Sequence, residues 1–283
     1  MQNTLSNSWA LAKASASVLN RDRALLLFPL LSGIASIGVI LSFVFPLWFF
    51  VGPDSAFAEN TTWHLVFAFF YYLVQYFVVF YFNAALVGAA LVHLGGGRPT
   101  LRDGLLIASD HAVPILGYAA ISATVGVILN SIARKSGILG KLFGGSLGIG
   151  WSLATFLVVP VLVTRSVGPM EAVYESAALL KKSWGEQVTG KVGMGLVFGL
   201  AGALLALLSV GFVAGISALD PLSLIPTYVV IALAWILFAL VTSSIQGIYQ
   251  AAVYRYAMTG EGGVGFETIS LGEVVQGGGG LRR

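Results

Sequence analysis

The stretch Trp63–Leu94, WHLVFAFFYYLVQYFVVFYFNAALVGAALVHL, decides the fold. It holds no Asp, Glu, Lys or Arg, and its two histidines, His64 and His93, sit beside its ends. A helix needs roughly 20 apolar residues to cross the ~30 Å hydrocarbon core of a bilayer. This run exceeds that length and is too continuously apolar for a barrel strand, whose residues alternate. It reads as a membrane-spanning helix that tilts or projects beyond the core.

Working outward, five further runs behave in the same way. The set is Ala24–Val51, Trp63–Leu94, Ala112–Ala133, Leu147–Thr164, Val192–Leu219 and Leu224–Met258, with Pro46, Pro160 and Pro226 as places to bend. Composition agrees: of 283 residues 57% are hydrophobic and only 10% charged. A soluble domain carries about 25% charge, so there are too few ionised groups here to coat a soluble globule or to keep the chain disordered. The first run has Arg21 and Arg23 before it and Ala56-Phe57-Ala58 after it, like a secretory signal. It is far longer than the about 7–15 residues of a signal h-region, and is read as a span. The expected fold is all-α: one six-helix transmembrane bundle over residues 1–258, followed by a cytoplasmic Gly-rich tail, 259–283.

Basic residues orient the bundle. One side holds Lys13, Arg21, Arg23, Arg98, Arg102, Arg165, Lys181, Lys182, Lys191, Arg255, Arg282 and Arg283; the other holds Arg134, Lys135 and Lys141. The positive-inside rule then puts both termini in the cytoplasm. The loops around Asp54/Glu59 and Asp220 lack Lys and Arg, whereas Arg134–Lys141 is a local exception. The net charge of +3 is thus spent on orientation. No dense basic run interleaved with aromatics suggests nucleic acid, and the absence of cysteine excludes disulfides and thiolate chemistry.

Three amphipathic stretches on the basic side, about 3–20, 100–111 and 169–187, each lead into a pair of spans. Leu5, Trp9, Ala12, Ala16 and Leu19 share one helical face; Leu101, Leu105, Ala108 and Ala112 another; Met170, Val173, Ala177, Leu180 and Trp184 a third. Helices of this kind are expected in the interface, apolar face down. The order predicts three copies of amphipathic helix plus hairpin.

Two stripes of small residues predict close helix packing. Gly195, Gly199, Ala203, Gly211 and Gly215 lie on the fifth span, and Ala239, Ser243, Gly247 and Ala251 on the sixth. Small residues four apart let backbones approach where lipid removes the hydrophobic incentive, and the two stripes are expected to face each other. Gln75, Asn83, Gln246 and Gln250 form interhelical hydrogen bonds or line a polar cavity. No Asp, Glu, Lys, Arg or His lies in the middle of a span, which disfavours proton-coupled transport. His93, Arg165 and Arg255 stand at span ends, where they are expected to snorkel, Arg255 as an anchor among Tyr249, Tyr254 and Tyr256.

Local motif matches fail their context. Gly144-Gly145-Ser146-Leu147-Gly148 has the Gly-x-Ser-x-Gly form without the strand–turn–helix it requires, and the sixth span offers no histidine. Gly260–Gly265 contains Gly-x-Gly-x-x-Gly after a membrane helix, not after a strand, and is expected to be a flexible linker. No cofactor, metal or catalytic residue is expected.

Ser8-Trp9-Ala10-Leu11-Ala12-Lys13, Asn20-Arg21-Asp22-Arg23 and Leu27-Phe28-Pro29-Leu30-Leu31-Ser32-Gly33 form a distinctive start. With Glu175-Ser176-Ala177 through Trp184-Gly185 and Tyr254-Arg255-Tyr256-Ala257, the chain resembles an uncharacterised family of prokaryotic six-span membrane proteins. The resemblance implies a prokaryotic cell (inner) membrane and supplies no activity. The expected function is that of a non-catalytic scaffold or accessory subunit, joined to a membrane-protein partner or to further copies of itself. The alternative is a facilitator or transporter of a small or lipid-like solute, and after it an intramembrane enzyme.

Overall fold

The computed structural model describes residues 2–46, 48–49, 62–135, 147–184, 189–217 and 224–267. The loops around Asp54/Glu59 and Asp220, most of Arg134–Lys141, Ser146 and the tail beyond residue 267 lie outside them. Among the described residues the architecture is all-α. Its elements are α1 (Gln2–Arg21), a 3-10 turn (Arg23–Leu26), α2 (Leu27–Pro46), α3 (Thr62–Leu94), α4 (Leu101–Asp110) and α5 (Ala112–Lys135). An interrupted α6 (Leu147–Thr164) follows, then α7 (Pro169–Trp184), α8 (Thr189–Ser217) and α9 (Leu224–Thr259). Six segments are long and apolar enough to cross a membrane: α2 with its leading turn, α3, α5, α6, α8 and α9. If each of the six spans crosses once, α1, α4, α7 and the segment 260–267 share one side, the terminal side.

Local chemistry sets the element boundaries. Asp22 caps the 3-10 turn, its Oδ1 accepting from the Ala24 N–H. Thr100 and Asp103 form a capping box at the start of α4, each side chain taking the other's backbone N–H. The Thr100 backbone and hydroxyl donors hold the Asp103 carboxyl below its ordinary pKa.

α3 is the centre of the bundle and packs against α2, α4, α5, α6 and α9. Burial is concentrated toward the terminal side: Ala84–Ala90 of α3, Ile115–Ala123 of α5, Leu157–Val163 of α6 and Ser244–Tyr254 of α9 carry most of it. By contrast, Val197–Ile216 of α8 contains no buried residue, and the far halves of α2 and α9 are largely exposed.

The amphipathic helices contribute directly to this packed end. α1 buries Leu11, Ala14, Ser15 and Val18 against α8 and α9, while Trp9 is 64% exposed. Of the face expected from sequence, Ala12 and Leu19 are buried and Ala16 packs against the core, whereas the large indole of Trp9 stays outside and Leu11, Ala14, Ser15 and Val18 widen the contact. α4 packs through Gly104 and Ala108, and α7 through Ala172, Val173, Ser176 and Leu180; Met170 is exposed.

Two further expectations are corrected at the terminal ends. His93 does not snorkel: its ring nitrogens are buried and Nδ1 lies 3.5 Å from Asp22 Oδ2; Arg255 has its Nε buried without a hydrogen-bond partner while the residue stays partly exposed. Tyr249 and Tyr254 are buried in the core, Tyr254 sharing a 2.6 Å hydroxyl contact with Thr164. Nor is Gly260–Gly265 a loose linker, because it folds back over α3. The Val264 N–H donates to Leu94 O at 3.1 Å, and Phe266 is only 2% exposed. Gly263, at φ +88°, makes the fold-back possible: a Cβ there would stand 2.5 Å from Leu94 O.

Candidate functional site

The fourth span, α6, is broken in its middle. Pro160 has no N–H, so it cannot donate to the carbonyl of Phe156 one turn earlier. The backbone tightens there, Phe156 N–H bonding Leu153 O at 3.1 Å and Val158 N–H bonding Thr155 O at 3.2 Å. Two other helices complete the break. Ser176 Oγ of α7 accepts the Leu157 N–H at 2.9 Å in a fully buried contact. Gln250 Nε2 of α9 donates to Phe156 O. Irregular backbone at membrane depth is tolerated where protein buries it or where it lines a cavity, and both conditions hold here.

Beside the break is a cavity of about 430 Å³, within the range of small-molecule sites. Pro29 and Ser32 of α2, Val79, Phe80, Phe82 and Asn83 of α3, and Tyr118 of α5 form one side. Ser152, Thr155, Phe156 and Val159 of α6, Gly195 of α8, and Ser243, Gln246, Gly247, Tyr249 and Gln250 of α9 form the other. Aromatic contacts stiffen the walls: Phe80 and Tyr118 ring centroids are 4.6 Å apart, and Phe156 and Tyr249 are 5.9 Å apart. Thr155 Oγ1 is turned back onto Trp151 O at 2.8 Å. Among the described residues no group of three or more His, Asp or Glu gathers to hold a metal ion.

The structure brings Asn83, Gln246 and Gln250 together on this cavity and leaves Gln75 out. Gln75 Oε1 is buried elsewhere on α3 without a hydrogen-bond partner. Sequence reasoning did not place Tyr118, Tyr249 or Ser152 on a cavity, and Ser176 entered only through the Glu175-Ser176-Ala177 motif of the family resemblance. The proline within the fourth span was the available signal.

The small-residue stripes do not meet. A Cβ built on Gly195, Gly199, Gly211 or Gly215 would touch nothing within 4 Å, and Ala203 is exposed. α8 instead meets α9 through Gly202, where a Cβ would lie 3.5 Å from Phe238, and through Ser209, which accepts the Trp235 indole N–H at 3.3 Å. On α9, Ala239 and Ser243 are exposed, while Gly247 and Ala251 are buried. Gly247 packs against α3: a Cβ there would stand 2.9 Å from Leu86 Cγ. The side chains opposite each stripe decide which helix it approaches, and opposite Gly247 stands Leu86 of α3. Gly195, Ser243 and Gly247 are cavity walls as well.

No characterised protein and no solved structure matches the chain. A family model does match residues 62–266. The matched region runs from the first residue of α3 to the buried Phe266 and so includes five of the six spans, the broken α6 and most of the cavity lining. With six apolar helices and a match over most of its length, the chain is a multi-pass membrane protein that belongs to DUF6159, a family of unknown function.

Proposed function

We propose that the protein is a non-catalytic membrane protein that takes up a small or lipid-like solute and facilitates its passage or presentation. The observation that carries this reading is the cavity of about 430 Å³ beside the interrupted α6. Discontinuous helices and midspan cavities recur together in transporters. The distribution of Lys and Arg favours an orientation with both termini in the cytoplasm, and the family resemblance favours a prokaryotic cell membrane. The packing of the amphipathic helices also supports a threefold internal repeat. α4 packs on α3 and α7 on α6, each on the span before it, and α1 packs on the final pair α8–α9.

The test is retention of a native ligand. Protein extracted in mild detergent from its own membrane is expected to carry one lipid or small molecule near stoichiometric amounts, read by mass spectrometry. The double variant Asn83→Leu/Gln246→Leu is expected to retain several-fold less. Equal content of every species in the two proteins would sink the reading.

A second reading, a scaffold or accessory subunit, is favoured by the open small-residue face of α8. It predicts that Gly199→Leu/Gly211→Leu, at positions where a Cβ meets nothing within 4 Å, shifts assembly on native gels. An unchanged pattern would remove its support. A stoichiometric protein co-purifying with wild type and lost from this variant would favour it over solute binding.

A further inference from the structure

The exposure of the cavity lining indicates where a ligand enters, given the solute-binding reading above. It changes in one direction along three helices. On α3 Val79 is exposed, Phe82 and Asn83 are half-buried, and the following turns, Ala84–Ala90, are buried. On α6 Ser152 is exposed, Thr155 and Phe156 are half-buried, and Val159 is buried. Among the lining residues of α9, Ser243 and Gln246 are exposed, whereas Gly247 and Tyr249 are buried. All three helices run toward the terminal side, so the cavity is closed there by the packed core and open away from it. Two contacts between α6 and α9 lie at the closed end: the Gln250 amide on Phe156 O, and the Phe156 ring against Tyr249. The wall supplied by α8 is also thin. Gly195 is exposed, a Cβ there would meet nothing within 4 Å, and Val197–Ile216 beyond it contains no buried residue.

The height of the mouth is the second observation. At ~1.5 Å per residue, Val79 lies about 22 Å from the terminal-side end of α3. Ser243 lies about 24 Å from the terminal-side end of α9 and about 28 Å from its other end. Both stand near the middle of a hydrocarbon core ~30 Å thick, where lipid chains are the adjacent medium and water is remote. None of the described lining residues is Asp, Glu, Lys, Arg or His, so an entering ion would shed its hydration with no counter-charge to replace it. The Asn83 and Gln246 amides reward a guest that carries a hydrogen-bonding group. We infer that the cavity is loaded sideways from the bilayer interior, through a mouth framed by Val79, Ser152, Ser243 and Gln246. Its ligand is an uncharged, lipid-soluble molecule with a hydrogen-bonding group.

The chain contains no cysteine, so single cysteines can carry a nitroxide without background. Val79→Cys and Ser243→Cys are labelled in the full chain and placed in phosphatidylcholine nanodiscs. Collisions with oxygen, which concentrates in hydrocarbon, are compared with collisions with a neutral nickel chelate, which stays in water. The oxygen-to-nickel ratio is expected to be at least fivefold higher at both sites than at Glu261→Cys, which is exposed beyond α9. In wild type, a photoactivatable long-chain alcohol dissolved in the same bilayer is expected to label peptides containing residues 79–83, 152–159 or 243–250. An alkyl trimethylammonium of the same chain length is expected to label them at least tenfold less. Ser243→Trp, which fills the mouth, is expected to lower labelling by the alcohol at least threefold, with its melting temperature reporting whether the fold is intact. A ratio at Val79 and Ser243 as low as at Glu261 would overturn loading from the bilayer and leave solute binding standing. Equal labelling by the charged probe would overturn the uncharged ligand, and undiminished labelling in folded Ser243→Trp would overturn the mouth. Absence of the alcohol from all the cavity peptides of wild type would overturn the inference and the solute-binding reading together.

Discussion

Gly104→Val is expected to lower the melting temperature in mild detergent by about 6–12 °C, taking about 3 kcal/mol for overpacking and 2–4 °C per kcal/mol. Gly104 is where α4 crosses α3. A Cβ there would lie 2.7 Å from the carbonyl oxygen of Ala85 and would also collide with the Phe28 ring. The ring can turn, but the backbone oxygen belongs to the most buried stretch of the central helix and cannot move aside. α4 would have to lift from α3, uncovering Ala85 and Phe28 together. The matched control is Gly33→Ala on α2, where a Cβ meets nothing within 4 Å. There the expected change is none or a small gain from helix propensity. Equal melting temperatures for wild type and Gly104→Val would mean that α4 is not seated on α3.

Ser176→Ala is expected to cost about 1–3 kcal/mol, because it leaves the Leu157 N–H buried without an acceptor. Both residues are fully buried, so water cannot substitute for the lost hydroxyl. Thr124→Ala is the control. Its hydroxyl bonds back to Ala120 O of its own helix at 2.8 Å on an exposed face, and its loss is expected to change little. Pro160→Ala supplies the N–H whose absence opens α6 and lets the helix run on, so that Leu157 regains a partner within its own span. The double variant Ser176→Ala/Pro160→Ala should then be less destabilised than the sum of the two single changes. Strict additivity would show that the break and the serine are unrelated.

The six spans were legible because their signal is local: a run without charge and long enough to cross lipid needs no knowledge of its neighbours. The family resemblance was legible in short motifs inside the matched region, such as Glu175–Ala177 and Tyr254–Ala257, whereas Ser8–Lys13 lies outside that region. The packed face of α1 was legible in part. Its Ala12, Ala16 and Leu19 were read correctly, but Trp9 stands outside, and the contact also needs the smaller Ala14 and Ser15, which the pattern of hydrophobicity undervalues. The cavity was half legible. Asn83, Gln246 and Gln250 declare themselves as amides in apolar helices, whereas Tyr118 and Tyr249 blend into an aromatic-rich chain and depend on tertiary placement. The stripe on α8 could be read as small but not assigned a neighbour, since the partner of a smooth face is set by side chains far away in sequence.

The uneven burial along the spans has a consequence for how the protein lives in its bilayer. Protein–protein contact supplies cohesion on the terminal side, whereas the far halves of α2, α8 and α9 present large apolar side chains outward, among them Phe45, Leu207, Phe212 and Leu233. In one leaflet the helices solvate each other; in the opposite leaflet acyl chains act as their solvent. Lipid therefore carries more of the structure on the far side, and the chain is built to feel the thickness and order of that leaflet more strongly than those of the other.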